Sequence, residues 1–379
     1  MADALWKPLA DAQFVDRVRA HVRSAIAPYA HAIDADDVYP LDIIQGFAQT
    51  GLTSTFLPTE YGGAGDFTLV AALFEEVGYA SAAVGVSLLT IFQAQTMMRL
   101  FGSRGLNDQY MPLFGRGLAA SYSLTEASHG SDIRSLDTKA VRDGDHWRLN
   151  GEKSFITSGS KAEFFVMLAE TESGVSVFAV PYGLAGLEKY VGEFSATMGL
   201  RNGPHVNMRI RDVLIPAENL IGVEGKGVRQ AVTTLDYSRT FAGAISIGIA
   251  RAAFDAALER AAGRVAFDQA ILSFQGIQWY FADMLAEIDA ARLLVYRAAQ
   301  ALNDHDDIDR YSSAAKLMAS RVATEVASRA VQICGAWGTA VNTPFSRYLR
   351  DAKTYEIGGG SSEILKNTLA KYLVKHARP

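Results

Sequence analysis

The sequence predicts an α+β protein of several domains, in which two helical units flank a middle unit of β-strands. Residues 1–117 are mostly helical in pattern, with Ala-rich segments interrupted by the turn-rich stretch 58–65. Residues 118–222 carry short apolar runs of strand length, and residues 223–379 return to long helical segments. A helix–sheet–helix order of this kind is typical of an α-helical bundle interrupted by a β insertion.

Length, charge and cysteine content narrow the class of protein. The chain has 379 residues, of which 49% are hydrophobic and 20% charged, an ordinary balance for a folded protein with sizeable cores. The formal net charge of −5 is mild, so neither nucleic acid nor an anionic membrane is an expected partner. The single cysteine, Cys334, excludes an intramolecular disulfide and a cysteine-cluster metal site, and it favours a reducing compartment.

The sequence contains no predicted targeting segment. The stretch Met1–Pro8 lacks the basic region followed by an apolar region that a signal peptide requires. The longest apolar run, Ala82–Phe92, is too short to span a bilayer. We therefore expect a cytoplasmic protein with no membrane partner.

Four patterns place strands in the middle unit. The dipeptide 143–144, Asp-Gly, lies between two extended stretches and predicts a β-hairpin. Phe164–Leu168 and Val175–Val180 are apolar runs of strand length. In His205–Arg211, apolar and polar residues alternate, which is the period of a half-buried strand.

The third unit shows helical periodicity instead. Ile277, Phe281, Met284 and Ile288 are four, three and four residues apart, so they share one face of a helix. We interpret this stripe as the core of the bundle.

Two polar segments of the middle unit could carry chemistry. Tyr122–Asp132 concentrates hydroxyls and small residues, so its backbone could approach a planar ring or a diphosphate closely. In Leu149–Gly159, Phe155 could lie on a flat ring while Thr157 directs a hydroxyl at it. Taken alone, each segment is better explained by an ordinary polar turn or strand.

Together, the two segments resemble the acyl-CoA dehydrogenase family, whose middle domain carries a TEPxAGSD-like loop and then an NGxKxxITNG-like strand. Further matches follow in order along nearly the whole chain, which makes chance agreement unlikely. These are Leu57–Gly63, Met198–Arg201, Asp212–Pro216, Phe274–Met284, Gln332–Gly338 and Arg350–Lys353.

The resemblance implies a fold, a cofactor and an assembly. The expected fold has an N-terminal helical domain (1–117), a middle β-barrel-like domain (118–222) and a C-terminal four-helix bundle (223–379). FAD would lie between the β domain and the C-terminal helices, and a homotetramer is implied.

The resemblance also implies site residues. The isoalloxazine and diphosphate of FAD would contact Tyr122, Leu124, Thr125, Ser131, Phe155 and Thr157, and Ser361 and Glu363 would complete that site. The adenine half of the FAD of another subunit would be reached by Arg264, Phe267, Gln275, Gln332 and Ala336. The acyl thioester would contact Ser131, Asp236, Arg239 and Gly360.

The sequence departs from the family at the catalytic base. The family removes an α-proton with a glutamate, while hydride leaves the β-carbon for the flavin. The register of the C-terminal loop puts Gly359 at that glutamate, and Ser238 stands at the alternative position on the preceding helical segment. Neither residue is a carboxylate. Asp236, Glu356 and His205 are substitutes whose match to the role is weak.

Four functions remain open at this stage. The first is FAD-dependent α,β-dehydrogenation of acyl-CoA or an acyl-carrier thioester with a relocated base, with electrons passing to an electron-transfer flavoprotein or another acceptor. The second is a reaction that needs no base, as in desulfinases acting on 3-sulfinopropionyl-CoA. The third is a non-catalytic partner subunit of a hetero-oligomer, and the fourth is a flavin monooxygenase.

Overall fold

The computed structural model describes residues 5–377. The outer ends of the first and third predicted units, residues 1–4 and 378–379, lie outside this range, as does half of the stretch used for the signal-peptide prediction. Within the described range, helices, then strands, then helices follow one another along the chain. The predicted fold class is therefore confirmed.

Six helices form the first part of the described chain. Several begin at a side chain that accepts a backbone N–H of the first turn: Asp11 accepts from Phe14 at 2.7 Å, and Asp66 accepts from Thr68 at 2.8 Å. The helices are α1 (Ala12–Ala25), α2 (Ala30–Asp36), α3 (Leu41–Gln49), α4 (Phe67–Ala80), α5 (Ala82–Phe101) and α6 (Arg104–Gly115). Most of α5 is buried, because it packs between the sheet and the C-terminal helices.

Eight strands of the middle part form one sheet around a core of its own. They are β1 (Ala120–Ser123), β2 (Lys139–Asp143), β3 (His146–Ile156), β4 (Phe164–Thr171), β5 (Gly174–Pro181), β6 (Leu187–Tyr190), β7 (Val206–Pro216) and β8 (Leu220–Ile221). The order is β6-β7-β3-β2-β4-β5-β8, with β1 parallel to β4. The hairpin predicted at residues 143–144 joins β2 to β3, and the alternating burial predicted for β7 is present, so both predictions are confirmed.

The C-terminal part is built around long helices. They are α7 (Gly227–Gly263), α8 (Gln275–Asp304), α9 (Ile308–Cys334), α10 (Ala336–Thr339), α11 (Phe345–Tyr355) and α12 (Ser362–His376), and the short strands β9 (Val265–Ala266) and β10 (Gln269–Ala270) form a hairpin before α8. On α8, Phe281, Met284 and Ile288 are buried, as the stripe predicts. Helix α7 is long and apolar enough to cross a membrane, but 83% of its most apolar window is buried inside the protein.

Helices α4 and α7 cross with their backbones in close contact. A Cβ added at Gly248 of α7 would lie 2.3 Å from the carbonyl oxygen of Glu75 on α4. Beside this crossing, the Glu75 carboxylate accepts from Arg292 Nε at 2.7 Å and from the Tyr296 hydroxyl at 2.8 Å. Burial alone would raise the pKa of Glu75, but the arginines that face it lower the pKa below its ordinary value. This crossing fixes α7 against the N-terminal helices, and α7 forms one wall of the cleft described next.

Candidate active site

A cleft of about 1120 Å³ lies where the sheet, α5, α7 and the segment from α11 to α12 meet. Its walls are mixed. The α5 and α7 sides carry apolar groups such as Leu89 and Leu235, whereas the sheet side carries hydroxyls and backbone. A cavity of this size, mostly apolar with a few polar groups, is the usual form of a ligand or cofactor site.

The sheet side brings together the two polar segments of the middle unit. Ser121 of β1 donates its hydroxyl to the carbonyl oxygen of Thr157 at 2.6 Å, and the Ser154 N–H donates to the carbonyl oxygen of Thr125 at 2.9 Å. Tyr122, Leu124, Thr125, Ser131 and Thr157 all line the cleft. The two segments therefore form one continuous surface, although sixteen residues separate them in sequence.

A β-bulge turns Phe155 toward the cleft. The pairing of β3 with β7 shifts register between Lys153 and Ile156, and Phe155 has a φ of +54°. Positive φ is costly for a bulky residue and is found where a site requires it. The ring lines the cleft and is 49% exposed, which is unusual for an aromatic side chain in a sheet. An exposed aromatic face beside strand backbone and Thr157 fits a planar ring system.

A buried ion pair holds the loop that follows β1. The Glu126 carboxylate accepts from Lys153 Nζ at 2.7 Å and from the N–H groups of Asp137 and Thr138 at 2.6 and 3.0 Å. Burial opposes its charge, but Lys153 and these hydrogen bonds lower the pKa of Glu126. His129 and Asp137 lie near enough for a three-ligand metal site, but the Glu126 oxygens are already committed. We therefore interpret the group as the anchor of the loop.

Both positions predicted for the family's glutamate face the cleft. We call residues Gly358, Gly359 and Gly360, between α11 and α12, the triglycine loop; all three line the cleft, and so does Ser238 on α7. A Cβ added at Gly359 would meet no heavy atom of the described part of the chain within 4 Å. The carboxylates among the described residues that line the cleft belong to three aspartates, namely Asp132, Asp307 and Asp309.

The three substitute bases occupy different surroundings. Asp236 is buried and does not line the cleft; it accepts from Arg239 Nη1 at 2.7 Å, and burial raises its pKa to about 6. Glu356 also lies off the cleft wall, where it pairs with Lys353 at 2.8 Å. His205 lines the cleft, burial lowers its pKa, and neither ring nitrogen has a hydrogen-bond partner among residues 5–377.

The remaining cofactor residues divide into two groups. Ser361 lines the cleft and caps α12, whereas the neighbouring Glu363 is exposed and outside the cleft lining. The residues expected to reach another subunit's adenine are all exposed and outside the lining of this chain's cleft: Arg264, Phe267, Gln275, Gln332 and Ala336. The geometry does not bring this second group into the cleft of its own chain.

Sequence reasoning missed two features of the site. Gln93 of α5 lines the cleft and donates to the Ser238 hydroxyl at 3.4 Å, but nothing in the apolar run around it signals this role. Lys316 of α9 is fully buried and donates to the Gly360 carbonyl oxygen at 2.7 Å. The burial of Lys316 could have been predicted from the sequence, because helical spacing places this lysine on the same face as the small residues Ser312, Ala319 and Ala323.

Comparisons with known proteins agree along the chain. The acyl-CoA dehydrogenase N-terminal, middle and C-terminal domain families match residues 10–117, 121–213 and 225–374. The probable acyl-CoA dehydrogenase YngJ of Bacillus subtilis is 36% identical, with 95% of this chain and 97% of that protein covered.

Solved structures show the same relation. Butyryl-CoA dehydrogenase of Megasphaera elsdenii superimposes with a TM-score of 0.93 at 30% identity, covering 97% of this chain and 100% of that one. A structure described as electron transferring flavoprotein of Acidaminococcus fermentans superimposes with a TM-score of 0.92 at 32% identity, covering 96% and 97%. The chain belongs to the acyl-CoA dehydrogenase family of flavin-dependent oxidoreductases.

Proposed function

We propose that this protein is an FAD-dependent dehydrogenase that introduces an α,β double bond into an acyl thioester, carried by CoA or an acyl carrier protein. The observation that supports this most strongly is the shared cleft. Thr125, Phe155 and Thr157, expected at the flavin, line the same cavity as Arg239 and Gly360, expected at the thioester.

The residues present fit FAD. The exposed ring of Phe155 and the adjoining strand backbone suit the isoalloxazine, and the hydroxyl of Ser131 suits the diphosphate. Bound there, FAD supplies the oxidising ring that accepts the two electrons released by the substrate. The protein's part is to orient the thioester, polarise its carbonyl oxygen and receive the α-proton.

Neither Gly359 nor Ser238, the positions predicted for the family's glutamate, carries a carboxylate. Of the three substitutes, His205 is the one that lines the cleft, and its lowered pKa keeps the imidazole neutral at pH 7, with a lone pair able to accept a proton. We therefore take His205 as the candidate base. Because both ring nitrogens are buried, the ring must turn toward the ligand to act.

The proposed assembly is a homotetramer in the cytoplasm, passing electrons to an electron-transfer flavoprotein. Its support is the exposed surface beside Arg264 and Gln332. Phe267 is 89% exposed and Trp337 is 50% exposed, and Trp337 stacks under the Arg260 guanidinium. Large exposed aromatics next to charged groups are typical of subunit contacts.

The test is anaerobic reduction of the FAD-loaded protein by a panel of acyl-CoAs, followed at the flavin absorbance band. Bleaching with formation of the enoyl thioester supports the proposal. Product release without bleaching would indicate a base-independent reaction, and a protein that binds no flavin would refute the proposal. His205→Gln tests the base separately: flavin reduction is expected to slow by about 10²- to 10⁴-fold. An unchanged rate in His205→Gln would reject the base and leave the dehydrogenase assignment intact.

A further inference from the structure

One polar side chain interrupts the apolar walls of the cleft. Gln93 lines the cleft from α5, where Leu89 lies one turn before it and also lines the cleft. On the facing wall, α7 presents Leu235 one turn before Ser238 and Ala242 one turn after it. The two walls meet at this level, because Gln93 Nε2 donates to the Ser238 hydroxyl oxygen at 3.4 Å. A carboxamide therefore faces the cleft among apolar groups.

The hydrogen bonds of Ser238 fix the orientation of this carboxamide. The Ser238 hydroxyl donates its one proton to the carbonyl oxygen of Leu235 at 3.1 Å, so toward Gln93 it can only accept. The amide nitrogen of Gln93 must therefore face Ser238, and the carbonyl oxygen Oε1 must point elsewhere. Within residues 5–377, Ser238 is the one hydrogen-bond partner of the Gln93 side chain, so Oε1 and the second amide N–H are unpaired.

The unpaired groups of Gln93 are open to the cleft. A contrast is given by Gln95, two residues further along α5, which is 1% exposed and lies outside the cleft lining. The carboxamide oxygen and nitrogen of Gln95 are both buried without a partner among the described residues. The Gln93 side chain is only half-buried, and its Oε1 is not enclosed in this way. A ligand in the cleft can therefore reach Gln93 Oε1 and displace water from it.

A purely aliphatic acyl chain is a poor match for this wall. Packed against Gln93, it would remove water from Oε1 and leave the carbonyl without a hydrogen bond, which is costly. A ligand that carries a hydrogen-bond donor at this level would restore the bond. Sites that present such a group discriminate strongly against ligands that lack its complement. The cleft therefore favours an acyl chain that bears a donor.

The complementary group is uncharged. An acidic substituent would need a cation, and the cation next to Ser238 is Arg239. It is already bonded to Asp236 at 2.7 Å and to the Gly359 carbonyl oxygen at 3.2 Å. An ammonium group would lose more hydration than a neutral carboxamide returns. A hydroxyl is the neutral group that can donate to Oε1 and can also accept from the unpaired N–H of Gln93.

We propose that Gln93 determines acyl specificity. Its carboxamide, held in orientation by Ser238, binds a hydroxyl group on the acyl chain of the thioester. This inference rests on the proposed function and assigns its substrate class, a hydroxyacyl thioester. The hydroxyl is bound and not oxidised, since the α-hydrogen still leaves as a proton and the β-hydrogen as a hydride.

The test measures binding to the FAD-loaded full chain after its flavin has been reduced, so that no ligand is turned over. Calorimetric Kd values are compared for hexanoyl-CoA and for freshly prepared 4-, 5- and 6-hydroxyhexanoyl-CoA, which place the hydroxyl on successive carbons. Gln93→Met and Gln93→Leu remove the carboxamide and leave side chains of two different shapes. Gln95→Met is the matched control, because it makes the same change on the same helix outside the cleft lining.

The wild type is expected to bind at least one hydroxyhexanoyl-CoA about 10- to 100-fold more tightly than hexanoyl-CoA. Both Gln93 variants should lose this preference and should bind hexanoyl-CoA more tightly than the wild type does, because no carbonyl is left unpaired. Gln95→Met should keep the preference of the wild type.

Two results would overturn the inference. One is an equal Kd for all four ligands in the wild type, and the other is a preference that persists in a folded Gln93 variant. Failure of the proposed function gives a different result, since the oxidised flavin would then not be bleached anaerobically by any of the four acyl-CoAs, whatever their order of affinity.

Discussion

Replacing Gly359 with glutamate should install a carboxylate base at the position predicted for the family's glutamate. Two effects on the rate of flavin reduction oppose each other, namely backbone strain at position 359 and the gain from a general base. A Cβ at Gly359 meets no heavy atom within 4 Å, so overpacking makes no contribution. The φ of +72° strains any L-residue by about 1–2 kcal/mol. If all of that strain reduced the competent conformer, the rate would fall by about 5- to 30-fold.

A positioned general base contributes about 10²- to 10⁴-fold. The gain therefore exceeds the strain. In a His205→Gln background, which lacks the candidate base, we expect Gly359→Glu to reduce flavin between about threefold and 10³-fold faster than His205→Gln alone. The assay is single-turnover anaerobic mixing with butanoyl-CoA in a stopped-flow spectrometer. The gain should disappear at low pH as the new carboxylate is protonated.

Two controls separate base chemistry from strain. Gly359→Gln has the same shape without a proton acceptor, and Gly359→Ala carries the strain alone; both should be slower than the wild type. The reasoning fails if Gly359→Glu binds FAD and remains folded but is no faster than Gly359→Gln. Ser238→Glu is expected to gain less, because Ser238 is 4% exposed and a carboxylate there would be desolvated.

Three further outcomes follow from the fold and its charges. Gly248→Ala should lower the free energy of unfolding by about 1–3 kcal/mol in denaturant titrations. Gly46→Ala is the control and should not lower it, because a Cβ at Gly46 meets no described atom within 4 Å. Equal effects of the two substitutions would contradict the close helix crossing. The pKa of His205 is lowered in the folded state, so below the ordinary value of 6.5 the unfolded chain binds the proton more readily and the folded state loses stability. His205→Thr should therefore reduce the loss of thermal midpoint between pH 7.5 and 5.5. An unaltered loss would contradict this expectation. Glu126→Gln leaves the buried Lys153 without its carboxylate partner and should lower the free energy of unfolding by about 3–5 kcal/mol. Adding Lys153→Met should largely restore that free energy. A double variant as unstable as Glu126→Gln would refute the ion-pair account.

Local chemistry explains which parts of the fold were predictable. The hairpin at residues 143–144 depends on an Asp-Gly turn, and the stripe on α8 depends on helical periodicity, so neighbouring residues determine both. The exposed position of Phe155 could not be predicted in this way. It depends on the register of β3 against β7, which lies about fifty residues further along the chain.

The candidate site was predicted where family motifs carried the information, and less well elsewhere. The motif residues Thr125, Thr157 and Gly360 line one cleft. The sequence did not indicate that Arg239 and Lys316 would both bond to the triglycine loop, because those contacts join segments more than forty residues apart. The helix face of Lys316 indicates its burial, but its bond to the Gly360 carbonyl forms only once α9 packs against the loop.

Helix α7 also joins two distant surfaces as a single rigid rod. Ser238 faces the cleft and Gly263 ends the helix just before Arg264, so about 38 Å of uninterrupted helix separates the two at 1.5 Å per residue. One residue inserted or deleted between them would rotate one end by about 100° relative to the other. Substitutions at either surface leave this geometric relation unchanged, whereas a change in the number of residues between the two surfaces alters it.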